Sequence, residues 1–305
     1  MRLLITGASG LLGLNLSLLA QNLGYDVMGF VHSHPLQSAP FDVRRVNLLD
    51  TQAALSAMDD SQPDAIIHCA ALANLGEAER LPCLAHALNV DVPGMIAEAA
   101  FDRGIPLIHI STDAVFDGSK GDYIETDPPN PLSVYARTKL AGERIVQEKN
   151  PDALIARVVF FGWSLSGKRS LSEFFYNHLK DDQSVKGFID TFFSPLYVED
   201  LGEILLDVLE KGLHGNYHVV SSESLSKYDF GVRIAKRFGF DPGLIEPVKM
   251  NDIRREAPRS LNLTLKPDKL QTNLGYNLPT IEGGIDRFYE RWVQGYHRKI
   301  QAFSN

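Results

Sequence analysis

The chain is expected to be an α/β protein, a doubly wound parallel sheet of the Rossmann type with a smaller C-terminal substrate-binding lobe. Three observations carry this expectation. Short apolar runs alternate with helical patterns through the first half, as in βαβ units. A glycine-rich turn joins the first apolar run directly to the first helix. After about residue 165 the alternation loosens, as it does where a lobe covers the crevice at the strand ends.

Taken in order, residues 2–6 (RLLIT) read as a buried strand, and the turn after them leads into an amphipathic helix over 11–23. Residues 26–31 (DVMGFV) form the second strand and 43–46 a weaker third. Residues 64–68 (DAIIH) are the fourth, followed by a loop and one helix over 84–103. Residues 106–110 (PLIHI) are the fifth strand and 154–159 the sixth, with a helix over 134–148 between them. Right-handed crossovers between such strands give a doubly wound sheet. Beyond them, helices are expected over 170–180, 198–211, 227–238 and 281–294, with a short strand at 217–220. The division expected is a dinucleotide-binding domain over 1–165 and a substrate-binding lobe over 166–305, interleaved with the first.

Composition narrows the function. The 305 residues include 30 basic and 38 acidic side chains, a net charge of −8, with 44% hydrophobic and 22% charged residues. That apolar mass suffices for a packed core, and scattered basic residues argue against a nucleic-acid partner. Cys69 and Cys83 form no CxxC spacing, so neither a disulfide framework nor a zinc knot is expected and a cytoplasmic, reduced setting is. No apolar run approaches the length of a membrane span. The Leu-rich N-terminus is broken by Gly7, Ser9, Gly10 and Gly13, unlike the continuous core of a signal peptide. No metal-ligand spacing appears among the histidines and cysteines, so no catalytic metal is expected.

Three sites carry chemistry. The first is Gly7-Ala8-Ser9-Gly10-Leu11-Leu12-Gly13, whose glycines allow a tight turn, close approach to a pyrophosphate and close helix–strand packing. The helix start then offers N–H groups and a positive dipole end to the phosphates. Cofactor choice depends on the end of the second strand, where NAD binders place an acid on the ribose 2′-OH. Here the segment reads Phe30-Val31-His32-Ser33-His34. This favours NADP over NAD, with His32, Ser33 and Arg44 or Arg45 near a 2′-phosphate.

The second site is Tyr135 with Lys139, on one face of the helix over 134–148. A phenol ordinarily titrates near about pH 10, and a nearby ammonium is expected to lower that value, making Tyr135 the acid that protonates a carbonyl oxygen. Tyr176 and Lys180 repeat the spacing, but within Phe174-Phe175-Tyr176, which reads as a packing face. The third site is Ser111-Thr112-Asp113, just past the fifth strand, where the Thr112 hydroxyl can orient the same carbonyl.

These residues resemble the extended short-chain dehydrogenase/reductase family. The resemblance rests on GASGLLG at 7–13, HCAA at 68–71, STDAVFDG at 111–118 and PNPLSVYARTKLAGE at 129–143. STD-x-VFDG and Y-x-x-TKL-x-GE are most similar to the dTDP-4-dehydrorhamnose reductases and related sugar-nucleotide-binding proteins. The resemblance implies that Tyr135 is the general acid, that Lys139 binds the nicotinamide ribose and tunes Tyr135, and that Thr112 polarises the carbonyl. It implies that Ala70, Ala71 and Leu72 line the cofactor and that Asn89 braces the backbone beside it. Asn47-Leu48 stands where the family commonly has an acid beside the adenine, which places Leu48 at that site, and Ala114 stands where it has an aromatic residue.

The activity implied is NAD(P)H-dependent reduction of a nucleotide-linked 4-keto-6-deoxy sugar. Asp113 and Arg259 are candidate substrate contacts, with Arg157, Arg254 and Arg255 as further partners for the diphosphate. A soluble cytoplasmic homodimer is expected. Two rivals stand beside this reading: an epimerase or dehydratase of the same family, and a non-catalytic NADP-binding regulatory subunit.

Overall fold

The computed structural model describes residues 1–253 and 260–304. Its centre is a seven-stranded sheet. The strands β1 (Arg2–Thr6), β2 (Asp26–Val31), β3 (Asp42–Arg45), β4 (Ala65–His68), β5 (Leu107–Thr112) and β6 (Leu154–Val158) are joined by a seventh, Gly215–Val219. The order across the sheet is Gly215–Val219, β6, β5, β4, β1, β2, β3, and every neighbouring pair is parallel. The order reverses at β1, so a crevice opens at the carboxyl ends of β1 and β4, where doubly wound sheets take their ligands. The seventh strand comes from beyond residue 165.

Helices cover both faces. In the first half they are α1 (Leu11–Asn22), α2 (Thr51–Ser61), α3 (Leu75–Arg80), α4 (Pro82–His86), α5 (Val92–Asp102) and α6 (Val134–Lys149). Then follow α7 (Leu171–Leu179), α8 (Val198–Glu210), α9 (Lys227–Phe238), α10 (Asp268–Leu274), α11 (Ile281–Val293) and α12 (Tyr296–Gln301). The period-2 alternation of β1 decides which face each residue serves. Leu3 and Ile5 pack with Leu14 and Leu16 of α1, Leu201 and Leu205 of α8 and Phe288 of α11. Leu4 packs on the other face with Ala54 of α2 and Ile96 and Ala97 of α5.

The helix expected over 84–103 is interrupted. A π-helical turn at Ala87–Asp91 separates α4 from α5. Pro93 explains it: proline carries no N–H to bond the Asn89 carbonyl four residues back. Gly142 of α6 then packs so close to that carbonyl that a Cβ on it would lie 2.2 Å away. The fifth strand also extends through Thr112, two residues past the expected end. The sequence reading did not anticipate α2, α3, α10 and α12, or three small strand pairs beyond the sheet. Among the described residues no helix is long and apolar enough to cross a membrane.

Candidate active site

The glycine turn sits at the crevice. Gly7 has φ +67°, and a Cβ there would lie 2.8 Å from the Ala70 nitrogen. A Cβ on Gly13 would fall 2.2 Å from the Gly7 carbonyl oxygen. The turn closes with Gly10 N–H donating to Gly7 O at 2.8 Å, and α1 starts with no side-chain cap and no acidic residue in its first turn. The opening N–H groups at Leu11 and Leu12 are therefore left for an anion. Ser9 is half-buried in the same turn. These features fit the pyrophosphate of a dinucleotide.

The walls follow. Ala70 N–H donates to Thr6 Oγ1 at 3.3 Å, Ala71 is exposed, and Leu72 N–H donates to Asn89 Oδ1 at 2.9 Å. Asn89 is fully buried, and its amide nitrogen donates to Leu72 O and Thr138 Oγ1. Its side chain thus holds the Leu72 strap to α6. Past β2, His32 and Ser33 are exposed, with His32 Nδ1 3.2 Å from Ser33 Oγ. Arg45 is the register partner of Val31, whereas Arg44 is paired with Asp60 at 2.9 Å. Leu48 is buried in the core cluster that holds Phe30, Val46 and Met58.

At the far side, Thr112 ends β5 and Ser133 caps α6 by accepting from Ala136 N–H. The cap places Tyr135 in the first turn, half-buried and beside Thr112. Thr112 in turn donates to Asp113 Oδ1 at 3.0 Å and accepts from Ala114 N–H. Burial raises the Asp113 carboxyl to about 6, although the Thr112 hydrogen bond and the nearby Lys227 pull it back.

One expectation needs correcting. Lys139 lies on the predicted face, but its ammonium points toward β5, donating to Ile110 O at 2.7 Å with His109 Nε2 3.2 Å away. A buried ammonium requires acceptors, and these two lie under the helix. Tyr135 is accordingly not lowered. Burial pushes it up to about 12, the Asp113 charge adds to that, and only the neighbouring Thr112 hydroxyl opposes it.

Arg157 is a second correction. It is buried against Glu143 at 2.7 Å and is not a diphosphate contact. Arg254, Arg255 and Arg259 lie outside the described residues. The repeat at Tyr176 packs as expected: Trp292 Nε1–H donates to its hydroxyl at 2.7 Å, and the Lys180 ammonium sits over its ring. The sequence reading missed His68, His109 and Glu143 around Lys139. A signal existed for Glu143, one helical turn beyond Lys139, and for His68, at the carboxyl end of β4. Among the described residues no group of three His, Cys, Asp or Glu could hold a metal.

The glycine cradle, the Thr112–Tyr135 pair and buried Lys139 can now be set beside known proteins. The family model described as RmlD substrate binding domain matches residues 1–293. The chain belongs to that family. Its place among the extended short-chain dehydrogenases/reductases, implied by the resemblance, is consistent with this. The chain is 35% identical over 286 residues to a probable low-salt glycan biosynthesis reductase, Agl14, of Haloferax volcanii, covering 92% of this chain and 95% of that one. It is 32% identical to methionine adenosyltransferase 2 subunit beta of Bos taurus, over 91% of this chain and 84% of that one. Among solved structures, dTDP-4-dehydrorhamnose reductase of Bacillus anthracis, in complex with NADP, superposes with a TM-score of 0.85 at 27% identity, covering 95% and 99% of the two chains.

Proposed function

We propose that the chain is an NAD(P)H-dependent reductase of a nucleotide-linked 4-keto-6-deoxy sugar, of the dTDP-4-dehydrorhamnose reductase kind, with NADP the preferred cofactor. The observation that carries this is the Thr112–Tyr135 pair at the carboxyl end of β5, together with a turn after β1 whose Gly7 and Gly13 leave no room for a Cβ. Residues 166–305 serve as the substrate lobe and present Lys227 toward Asp113. A reduced nicotinamide, when bound, supplies the hydride.

The chain's own residues supply the rest. Tyr135, held up to about 12, is a phenol at neutral pH and is stocked with the proton that reduction consumes. Thr112 can turn its hydroxyl from Asp113 to the sugar carbonyl and set the oxygen beside the Tyr135 hydroxyl. Asp113 is placed to accept from a sugar hydroxyl. In this reading Lys139 binds the nicotinamide ribose, and His32 and Ser33 meet a 2′-phosphate.

The relative named as a subunit of methionine adenosyltransferase supports a second reading, a dinucleotide-binding subunit without turnover. One experiment separates the two. Oxidation of NADPH and NADH is followed with dTDP-4-keto-6-deoxyglucose and its 3,5-epimer, for wild type and Tyr135→Phe. The reductase is expected to consume NADPH faster than NADH, and to lose at least about a hundredfold in kcat in the variant. Tight NADPH binding with no oxidation by wild type would favour the subunit.

A further inference from the structure

Two buried imidazoles beneath the crevice have no part in the reaction as described. His68 and His109 are register partners across β4 and β5, stacked with ring centroids 5.4 Å apart, and are 1% and 0% exposed. His68 Nδ1 is 2.7 Å from Thr6 Oγ1, and His109 Nε2 is 3.2 Å from the Lys139 ammonium. Their other nitrogens, His68 Nε2 and His109 Nδ1, have no partner among the described residues. Buried polar atoms without partners are costly and rare, so a leucine at 109 would be the cheaper filling for this layer.

The charges around Lys139 are few. Cys69 and His68 approach from the β4 side, and His109 and the Ile110 carbonyl from β5. Glu143 lies one turn along α6 and is itself locked to Arg157 of β6, and Tyr135 is one turn back. Burial keeps both imidazoles neutral: His68 is lowered to about 3 and His109 well below its ordinary value. A neutral imidazole with its proton on Nδ1 presents a bare Nε2, the acceptor an ammonium needs.

We infer that His109 is a positioning residue for Lys139: its Nε2 and the Ile110 carbonyl take two of the three ammonium N–H bonds and leave one for the dinucleotide ribose. The inference rests on the reading of Lys139 as the ribose-binding residue. Burial brings Lys139 down to about 8, with Glu143 opposing, so its charge is in play near neutral pH. His109 stabilises the charged form. Losing that acceptor lowers the pH at which the ammonium discharges, and ribose binding goes with it.

Two measurements on the whole chain test this. Nitrogen NMR of the histidine-labelled protein is expected to show His109 as the neutral Nδ1–H tautomer, its Nε2 resonance moving as Lys139 titrates near pH 8 and standing still in Lys139→Met. A proton on Nε2 while Lys139 is charged would overturn the inference. The NADPH dissociation constant is then followed against pH. His109→Phe is expected to move the alkaline loss of affinity down by about one pH unit, weakening NADPH about tenfold at pH 9, whereas His109→Gln, which offers an amide oxygen, stays within about threefold of wild type. Equal weakening at every pH in His109→Phe, with no movement of the midpoint, would reduce His109 to core packing. If wild type bound no NADPH, the cofactor reading would fail, and the tautomer would still decide the contact with Lys139.

Discussion

Arg157 holds the Glu143 carboxylate through hydrogen bonds of 2.7, 3.0 and 3.2 Å, and the two side chains are only 3% and 2% exposed. Ser111 donates to the same carboxylate. The pair therefore ties β6 to the helix that carries Tyr135 and Lys139. Glu143→Gln leaves a buried guanidinium without its counter-charge and is expected to cost about 3–5 kcal/mol in urea unfolding. Replacing both residues with leucine is expected to recover most of that loss. A sugar-nucleotide KM that rose in Arg157→Leu at unchanged stability would return Arg157 to the substrate.

Gly13→Ala probes the cradle from the helix side. The added methyl would fall 2.2 Å from the Gly7 carbonyl oxygen, which is backbone and cannot swing aside. The turn must open, and the α1 N–H groups move with it. NADPH affinity measured by fluorescence is expected to fall at least about tenfold. Unchanged affinity would show that the phosphates do not lie against this turn.

The buried Asp113 gives stability a pH dependence of known sign. Its folded carboxyl is raised to about 6, so the folded state holds a proton that the unfolded chain releases near about pH 3.9. Stability is fully present below the lower value and lost as pH rises through about 6. Asp113→Asn keeps an oxygen for the Thr112 hydroxyl and removes the buried charge. The variant is expected to gain about 2–3 kcal/mol over wild type at pH 8 and nothing at pH 3.5. A gain of equal size at both values would trace to packing instead of ionisation.

The parallel sheet was readable because every strand of the first half except β3 is a short apolar run between turn residues, and strict alternation within β1 sends Leu3 and Leu4 to opposite faces. The cradle was readable because Gly13 is demanded by the Gly7 carbonyl six residues back, although the crowding at Gly7 itself comes from Ala70, far along the chain. What escaped was set by contacts distant in sequence. The π-turn at Asn89 depends on Pro93 locally but on Gly142 of α6 for its packing. The direction of the Lys139 ammonium is decided by His109 and Ile110, thirty and twenty-nine residues away, and no helical-face argument contains them. Arg157 looked like a phosphate ligand until burial beside Glu143 assigned it.

Cofactor choice can be tested at the end of β2. Val31 is paired in register with Arg45, and the exposed His32 and Ser33 follow it. Arg44, one residue before, is already paired with Asp60. A 2′-phosphate here would meet a guanidinium, an imidazole and a hydroxyl, an arrangement that distinguishes it from a 2′-hydroxyl. Arg45→Ala is expected to weaken NADPH about tenfold and leave NADH within about twofold, because one phosphate contact of this kind is worth on the order of 1–2 kcal/mol. His32→Asp goes further: the carboxylate repels the phosphate and offers an acceptor to a free 2′-OH, so preference should pass to NADH. Both cofactors weakening together in both variants would mean that the segment shapes the fold and does not read the ribose.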